Sequence, residues 1–197
     1  MKLDKIFALA TDTIWGLACL AEDLKAVQKV FELKGREYSQ PLVLFVENLK
    51  AAEQLQHIPK ELIPWLNKHW PGGLTFVSQA ISEKYKHCHP LTDTIGIRIP
   101  DHLHTLSILK AIQKPLAVTS LNRSGEAPVK DLDEILTLFP EYPLKAYGIM
   151  PTQSSESCII ALDGTDLKVL RGSEKQIRSF GANLPSGFRI VHNNTRV

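Results

Sequence analysis

Short apolar runs of β type that break off in hydroxyl, amide or guanidinium side chains recur through this chain and constrain its fold more than any other feature. The first is Lys5–Ala10, which leads into Thr11-Asp12-Thr13 and then Ile14-Trp15-Gly16. Thr94–Ile99 alternates at period two, with Thr94, Gly96 and Arg98 on one face and three isoleucines on the other. A guanidinium in the middle of such a strand needs a carboxylate or phosphate partner. Pro115–Ser120 runs into Leu121-Asn122-Arg123-Ser124-Gly125, the polar loop Gln153–Ser157 enters a strand at Cys158, and Leu167–Arg171 stops at Gly172. Strand ends are where α/β sheets present ligands, while local Thr and Asp turns account equally well for any one stretch alone. Gly16 either turns the backbone or admits a close neighbour.

Between these runs the periodicity becomes helical. Glu22–Lys34 places Leu24, Val27, Val30 and Phe31 on one face, and Gly35 sits where a C-cap glycine belongs. Lys34 and Arg36 flank that glycine, either complementing the helix dipole or offering cations to a polyphosphate. Leu42–Val46 reads as a strand buried on both faces. Asn48 caps a helix over Leu49–Leu55, and Glu61–Trp70 is a second, with Trp65 and Trp70 as core. Pro71-Gly72-Gly73 turns the chain into a strand, Leu74–Ser78. Pro100-Asp101 opens a helix to about Ile112, Asp131 caps Leu132–Phe139, and a last helix covers Lys175–Phe180; the tail Asn183–Val197 carries no assignment. The expectation is one α/β domain over residues 1–197: a twisted mixed sheet, parallel and antiparallel, with helices packed around it and polar strand ends converging on a concave positive cleft.

A chain of 197 residues fits one such domain, and its net charge of +2 excludes a global polycation for nucleic acid. Cys19, Cys88 and Cys158 are too scattered for a disulfide framework, the N-terminal apolar run is too short for a signal peptide, and no stretch is apolar enough to span a bilayer. A cytoplasmic protein without membrane contact is expected. Glu83–Pro90 reads as an exposed basic loop, because adjacent His87, Cys88 and His89 point apart and no second cluster supplies ligands; His102 and His104 lack partners in the same way, so no metal site is predicted. Phosphate loops, dinucleotide fingerprints and nucleophile elbows are absent. What remains fits chemistry in which the substrate brings its own nucleophile and the protein supplies positioning and charge.

In order along the chain stand ATDTIWGL (Ala10–Leu17), KGREYSQPL (Lys34–Leu42), WPGGLTFV (Trp70–Val77), TIGIRIP (Thr94–Pro100), TSLNRSG (Thr119–Gly125), SSESCII (Ser154–Ile160) and LRG (Leu170–Gly172). This ordered set resembles the YrdC-like family of threonylcarbamoyl-AMP synthases over about residues 6–172, with Lys34/Arg36 and Ser120/Asn122 as the lysine-x-arginine and serine-x-asparagine signatures. The resemblance implies that L-threonine, bicarbonate and ATP give threonylcarbamoyl-adenylate and pyrophosphate, with Mg²⁺ accompanying ATP and no tightly bound organic cofactor. The product would feed threonylcarbamoyl modification of the adenosine beside the anticodon of some tRNAs, through downstream tRNA-modification proteins and with a weak RNA contact of its own. Carried over by position, Thr13, Arg98, Val118 and Ser157 would line the threonine pocket. Arg36, Gln40, Thr94, Ser120 and Arg171 would bind ATP, with Lys34, Arg36 and Asn122 as the catalytic group near the phosphates. Arg98 suits a carboxylate through its bidentate fork.

Several positions depart from the family pattern. Ala10 stands for a proline, Cys158 for a threonine, and Leu121 for an alanine, a bulkier group expected to alter the adenine or threonine wall. Relatives usually carry a helix before the first strand, where this chain has about ten residues; the 25 residues after Gly172 are too few for the longer form's extra domain. An RNA-binding paralogue without synthase activity, or a carbamoyl-phosphate-handling relative, are the competing readings.

Overall fold

The computed structural model describes residues 3–151 and 155–192. Its strands are β1 (Ile6–Leu9), β2 (Gly16–Leu20), β3 (Val43–Phe45), β4 (Leu74–Gln79), β5 (Thr94–Arg98), β6 (Leu116–Ser120), β7 (Ala146–Tyr147), β8 (Cys158–Asp163), β9 (Asp166–Arg171) and β10 (Arg189–His192). The helices are α1 (Leu24–Lys34), α2 (Leu49–Glu53), α3 (Ile63–His69), α4 (Leu103–Ile112), α5 (Leu132–Leu138) and α6 (Glu174–Gly181). All strands join one sheet in the order β10-β9-β8-β4-β5-β3-β6-β2-β1-β7. The β1/β7, β3/β5, β4/β8 and β9/β10 pairs are parallel and the others antiparallel, so the sheet is mixed, as expected.

Strand alternation divides the molecule. Leu17, Leu44, Phe76, Ile95, Ile97, Ala117 and Ile160 point to a large core shared with Val27 and Val30 of α1, Ala52 of α2, Trp65 of α3, Ile135 of α5 and Phe180 of α6. On the opposite face Phe7, Leu9, Ala18, Phe45, Leu116 and Val118 pack with Ile108 and Leu109 of α4. Among the described residues α4 is the only helix contributing buried side chains to that second cluster. The rest of this face is left for a cavity.

The caps follow their residues. Asp23, Asn48, Asp131 and Ser173 accept from backbone N–H groups at their helix starts, and Gly35 ends α1 at φ +59°. Trp65 and Trp70 are core, their indole N–H groups donating 2.8 Å bonds to Phe180 O and Leu74 O.

Three expectations change. Gly16 opens β2, which lies between β1 and β6; both its faces are covered, so no alternation betrayed it. Glu83–Cys88 is a 3₁₀ helix capped by Ser82, with Tyr85, Cys88 and His89 buried. It is therefore no exposed basic loop: His87 Nε2 lies 2.6 Å from Ala21 O, and Lys86 Nζ binds Asp93 at 2.8 Å. Nothing changes at His102: its Nδ1 is 3.1 Å from Thr105 Oγ1, whose hydroxyl donates to Ala10 O and ties α4 to the end of β1. Part of the unassigned tail, Arg189–His192, is an edge strand parallel to β9; residues 193–197 lie outside the described residues.

Candidate active site

The uncovered part of the sheet face forms a cavity lined by the β1–β2 link, β3, the ends of β5 and β6, and the loop entering β8. Short polar side chains shape the link through local bonds. Thr11 Oγ1 donates to Ile14 O at 2.7 Å and accepts from Thr13 N at 3.0 Å, so the chain bends within three residues and points Thr13 at Arg98.

Arg98 ends β5 at 3% exposure. Its Nη2 donates to Asp12 Oδ1 at 2.7 Å, Nη1 to Thr13 Oγ1 at 3.0 Å and Nε to Gly72 O at 3.0 Å, over the Phe45 ring at 5.3 Å. These three bonds use three of the five guanidinium donors, leaving one on each terminal nitrogen. Burial holds this guanidinium below its ordinary pKa while Asp12 opposes that shift. The buried carboxylate partner demanded by Arg98 is thus Asp12, two residues past Ala10 in the first motif.

Ser157 and Arg171 form the second wall. Arg171 donates through Nε to Ser157 O and through Nη2 to Ser157 Oγ, each at 3.1 Å, and through Nη1 to Glu156 Oε1 at 2.8 Å. Thr75 Oγ1 lies 3.1 Å from Ser157 Oγ, and Gln176 of α6 donates to Glu156 O at 2.9 Å. Here Gly172 lets β9 pass close to β8, since a Cβ on it would lie 2.6 Å from Cys158 Sγ.

The loop after α1 supplies the third cation. Arg36 donates to Gln40 O at 2.8 Å and Pro41 O at 3.2 Å, bonds that aim it without neutralising it. Burial holds Arg36 below its ordinary pKa, Arg171 adds to the effect and Glu156 opposes it. Burial pulls Lys34 down to about 7, again with Arg36 adding and Glu156 opposing. Cations brought this close in a partly dry space favour an anionic ligand.

Of the sequence-predicted residues, Thr13, Arg36, Arg98, Val118, Ser120, Ser157 and Arg171 line this one cavity. Lys34 and Asn122 do not; they are buried behind the wall formed by Ser120. Gln40 is exposed and contributes its carbonyl to Arg36, and Thr94 is exposed at the start of β5, at the other end from Arg98. Ser154 lies outside the described residues. Leu121 corrects an expectation: it is fully buried in the large core and lines neither wall. Sequence reasoning missed Asp12 as the mate of Arg98, Glu156 as the mate of Arg171, and Thr75 and Phe45. Asp12 could have been found by asking what neutralises a mid-strand arginine; Thr75 and Phe45 needed the strand order.

Residues 1–173 match the family Sua5_yciO_yrdC, whose description reads telomere recombination. The threonylcarbamoyl-AMP synthase of Mus musculus is 34% identical over 173 residues, covering 86% of this chain and 60% of the relative, and that of Homo sapiens is 32% identical over the same length. This chain therefore spans about 60% of the length of the curated relatives it matches. The crystal structure of P. abyssi Sua5 complexed with L-threonine superimposes with a TM-score of 0.83 at 26% identity, covering 95% of this chain and 55% of that one. E. coli YciO has the same fold, with a TM-score of 0.76 at 23% identity over 85% of this chain and 82% of that one. With the ordered motifs on one cavity and a family match over most of its length, the chain belongs to the Sua5/YciO/YrdC family.

Proposed function

We propose that this protein is a threonylcarbamoyl-AMP synthase, converting L-threonine, bicarbonate and ATP to threonylcarbamoyl-adenylate and pyrophosphate. The observation that carries the reading is the meeting of Arg98, Thr13, Val118 and Ser157 with Arg36, Ser120 and Arg171 around one cavity. The two N–H groups of Arg98 left over from Asp12, Thr13 and Gly72 suit the threonine carboxylate, and the fixed guanidinium plane orients the amine. Once its ammonium has lost a proton to solvent, attack of that amine on bicarbonate gives a carbamate and releases water. A carbamate oxygen then attacks the α-phosphorus and pyrophosphate leaves. Because the nucleophile is already an anion, Arg36 and Arg171 serve by offsetting charge on the phosphates.

Glu156 is the only carboxylate among the described lining residues and it is paired with Arg171, and no cluster of three or more metal-ligating side chains occurs among the described residues. These residues do not fit a resident Mg²⁺ cage; Mg²⁺ would arrive on the phosphates of ATP as part of the substrate. No helix among the described residues is long and apolar enough to cross a membrane. Pyrophosphate release from ATP, assayed with threonine and bicarbonate singly and together, tests the reading. Release is expected only with both; release indifferent to either one rejects it.

A further inference from the structure

Lys34 ends α1 where a catalytic lysine would be useful, yet it is 2% exposed and all of its donors are spent inside the protein. Its Nζ donates to Ser120 O at 2.6 Å, Asn122 O at 2.9 Å and Asn122 Oδ1 at 2.6 Å, and an ammonium has three N–H groups. The backbone adds a second tie, Ser124 N to Lys34 O at 2.8 Å. These bonds fix a direction. As an ammonium Lys34 can only donate, so the Asn122 atom facing it is the oxygen, and the amide nitrogen on the other side donates to Glu126 O. Ser120 Oγ lies 2.7 Å from that same oxygen and must therefore donate to it. The single hydroxyl proton is consumed, and what Ser120 offers the cavity is a pair of acceptor lone pairs.

We infer that Lys34 and Asn122 are positioning residues that set the hydrogen-bond polarity of Ser120, so that Ser120 accepts from a neutral donor of the nucleotide, a ribose hydroxyl or the adenine amino group, and does not hold phosphate. The inference deepens the synthase reading and rests on it for the nucleotide alone. A phosphate oxygen is itself an acceptor and would meet the lone pairs of Ser120 unfavourably. Arg36, turned into the cavity by the left-handed Gly35, and Arg171 remain for the phosphates.

Calorimetric binding of ATP and of inorganic triphosphate separates the two roles. Ser120→Ala is expected to weaken ATP about tenfold, the scale of one hydrogen bond, and to leave triphosphate unchanged, whereas Arg36→Ala weakens both. Equal losses for both ligands in Ser120→Ala would assign Ser120 to phosphate and overturn the inference. The 2′-deoxy, 3′-deoxy and 6-deamino analogues of ATP then identify the donor, because the analogue lacking it binds wild type and Ser120→Ala alike; a preserved loss with all three also overturns it. Lys34→Met is expected to weaken ATP in the wild-type background and to add little to Ser120→Ala, where a direct phosphate ligand would add its full cost. Should Lys34→Met not fold, Asn122→Asp retains both acceptor bonds and is expected to keep the preference for ATP over its deficient analogue. A nucleotide-free arm stands apart from the synthase reading. At pH 6, below the value of about 7 to which burial pulls it, Lys34 should give a slowly exchanging ¹⁵Nζ ammonium signal in the free protein. A fast-exchanging Lys34 would remove the latch whatever the chain does with ATP; absent ATP binding beside a protected Lys34 would instead reject the synthase reading.

Discussion

A guanidinium enclosed by Asp12, Thr13, Gly72 and Phe45 is costly to bury and therefore rigid once buried. Its attraction to Asp12 offsets desolvation only while both partners are present. Asp12→Ala should thus destabilise the fold by about 3–5 kcal/mol, read from urea unfolding, because it strands a charge with almost no access to water. Arg98→Lys keeps the charge but replaces a planar fork by a point donor that cannot satisfy Asp12, Thr13, Gly72 and a ligand together. Its threonine affinity should fall more than tenfold with ATP affinity unchanged; a parallel loss of both would mean that Arg98 acts through general stability. The same residue-level reasoning explains a gap in the sequence reading. Arg98 announced the need for an anion, and Asp12 was in view within the first motif, but the two are 86 residues apart and only the pairing of strands brings them to 2.7 Å.

At the level of elements, the site depends on how closely β2 and β6 approach. Gly16 pairs with Ser120, and a Cβ on it would lie 2.7 Å from Val118 Cγ1, a β-branched side chain with little freedom at χ1. Val118 lines the cavity, so Gly16→Ala should push it inward, costing about 1–3 kcal/mol of stability and raising the KM for threonine. Combining Gly16→Ala with Val118→Ala should bring the KM to that of Val118→Ala alone, since the displaced methyl groups are gone; a KM raised beyond that of the single variant would place the damage in the backbone. The strands with a clear period or polar ends, β1, β5, β6 and β9, were legible, as were α1 and its glycine cap. What was hidden had a physical reason. The strand β2 is covered on both faces, the two-residue β7 is too short to show a pattern, and the Glu83–Cys88 3₁₀ helix buries Cys88 and, between two lysines that look solvated in one dimension, Tyr85.

Over the whole molecule charge is nearly balanced, with a net +2, yet among the described residues Arg36, Arg98 and Arg171 line one cavity, with Glu156 in its wall and Asp12 buried against Arg98. The motifs made this local concentration legible, but not its cost, which depends on burial. Each of Arg36 and Lys34 is held below its ordinary pKa by lost solvation and by a cationic neighbour, so the free protein stores repulsion that an anion would relieve. Among the described residues the hydrogen-bond partners of Arg36 are the carbonyls of Gln40 and Pro41, and neither neutralises it. Arg36→Gln should therefore leave the free protein as stable as wild type or more so, while removing most of the stabilisation given by ATP, which for wild type should approach about 2.7 kcal/mol at a hundredfold excess over Kd. The wild-type gain should shrink as salt is raised, because the relieved repulsion is screened. Thermal unfolding with and without ATP at two salt concentrations decides the matter. An Arg36→Gln protein that is less stable when free and still stabilised fully by ATP would show that this arginine holds the loop together and that the phosphates are met elsewhere.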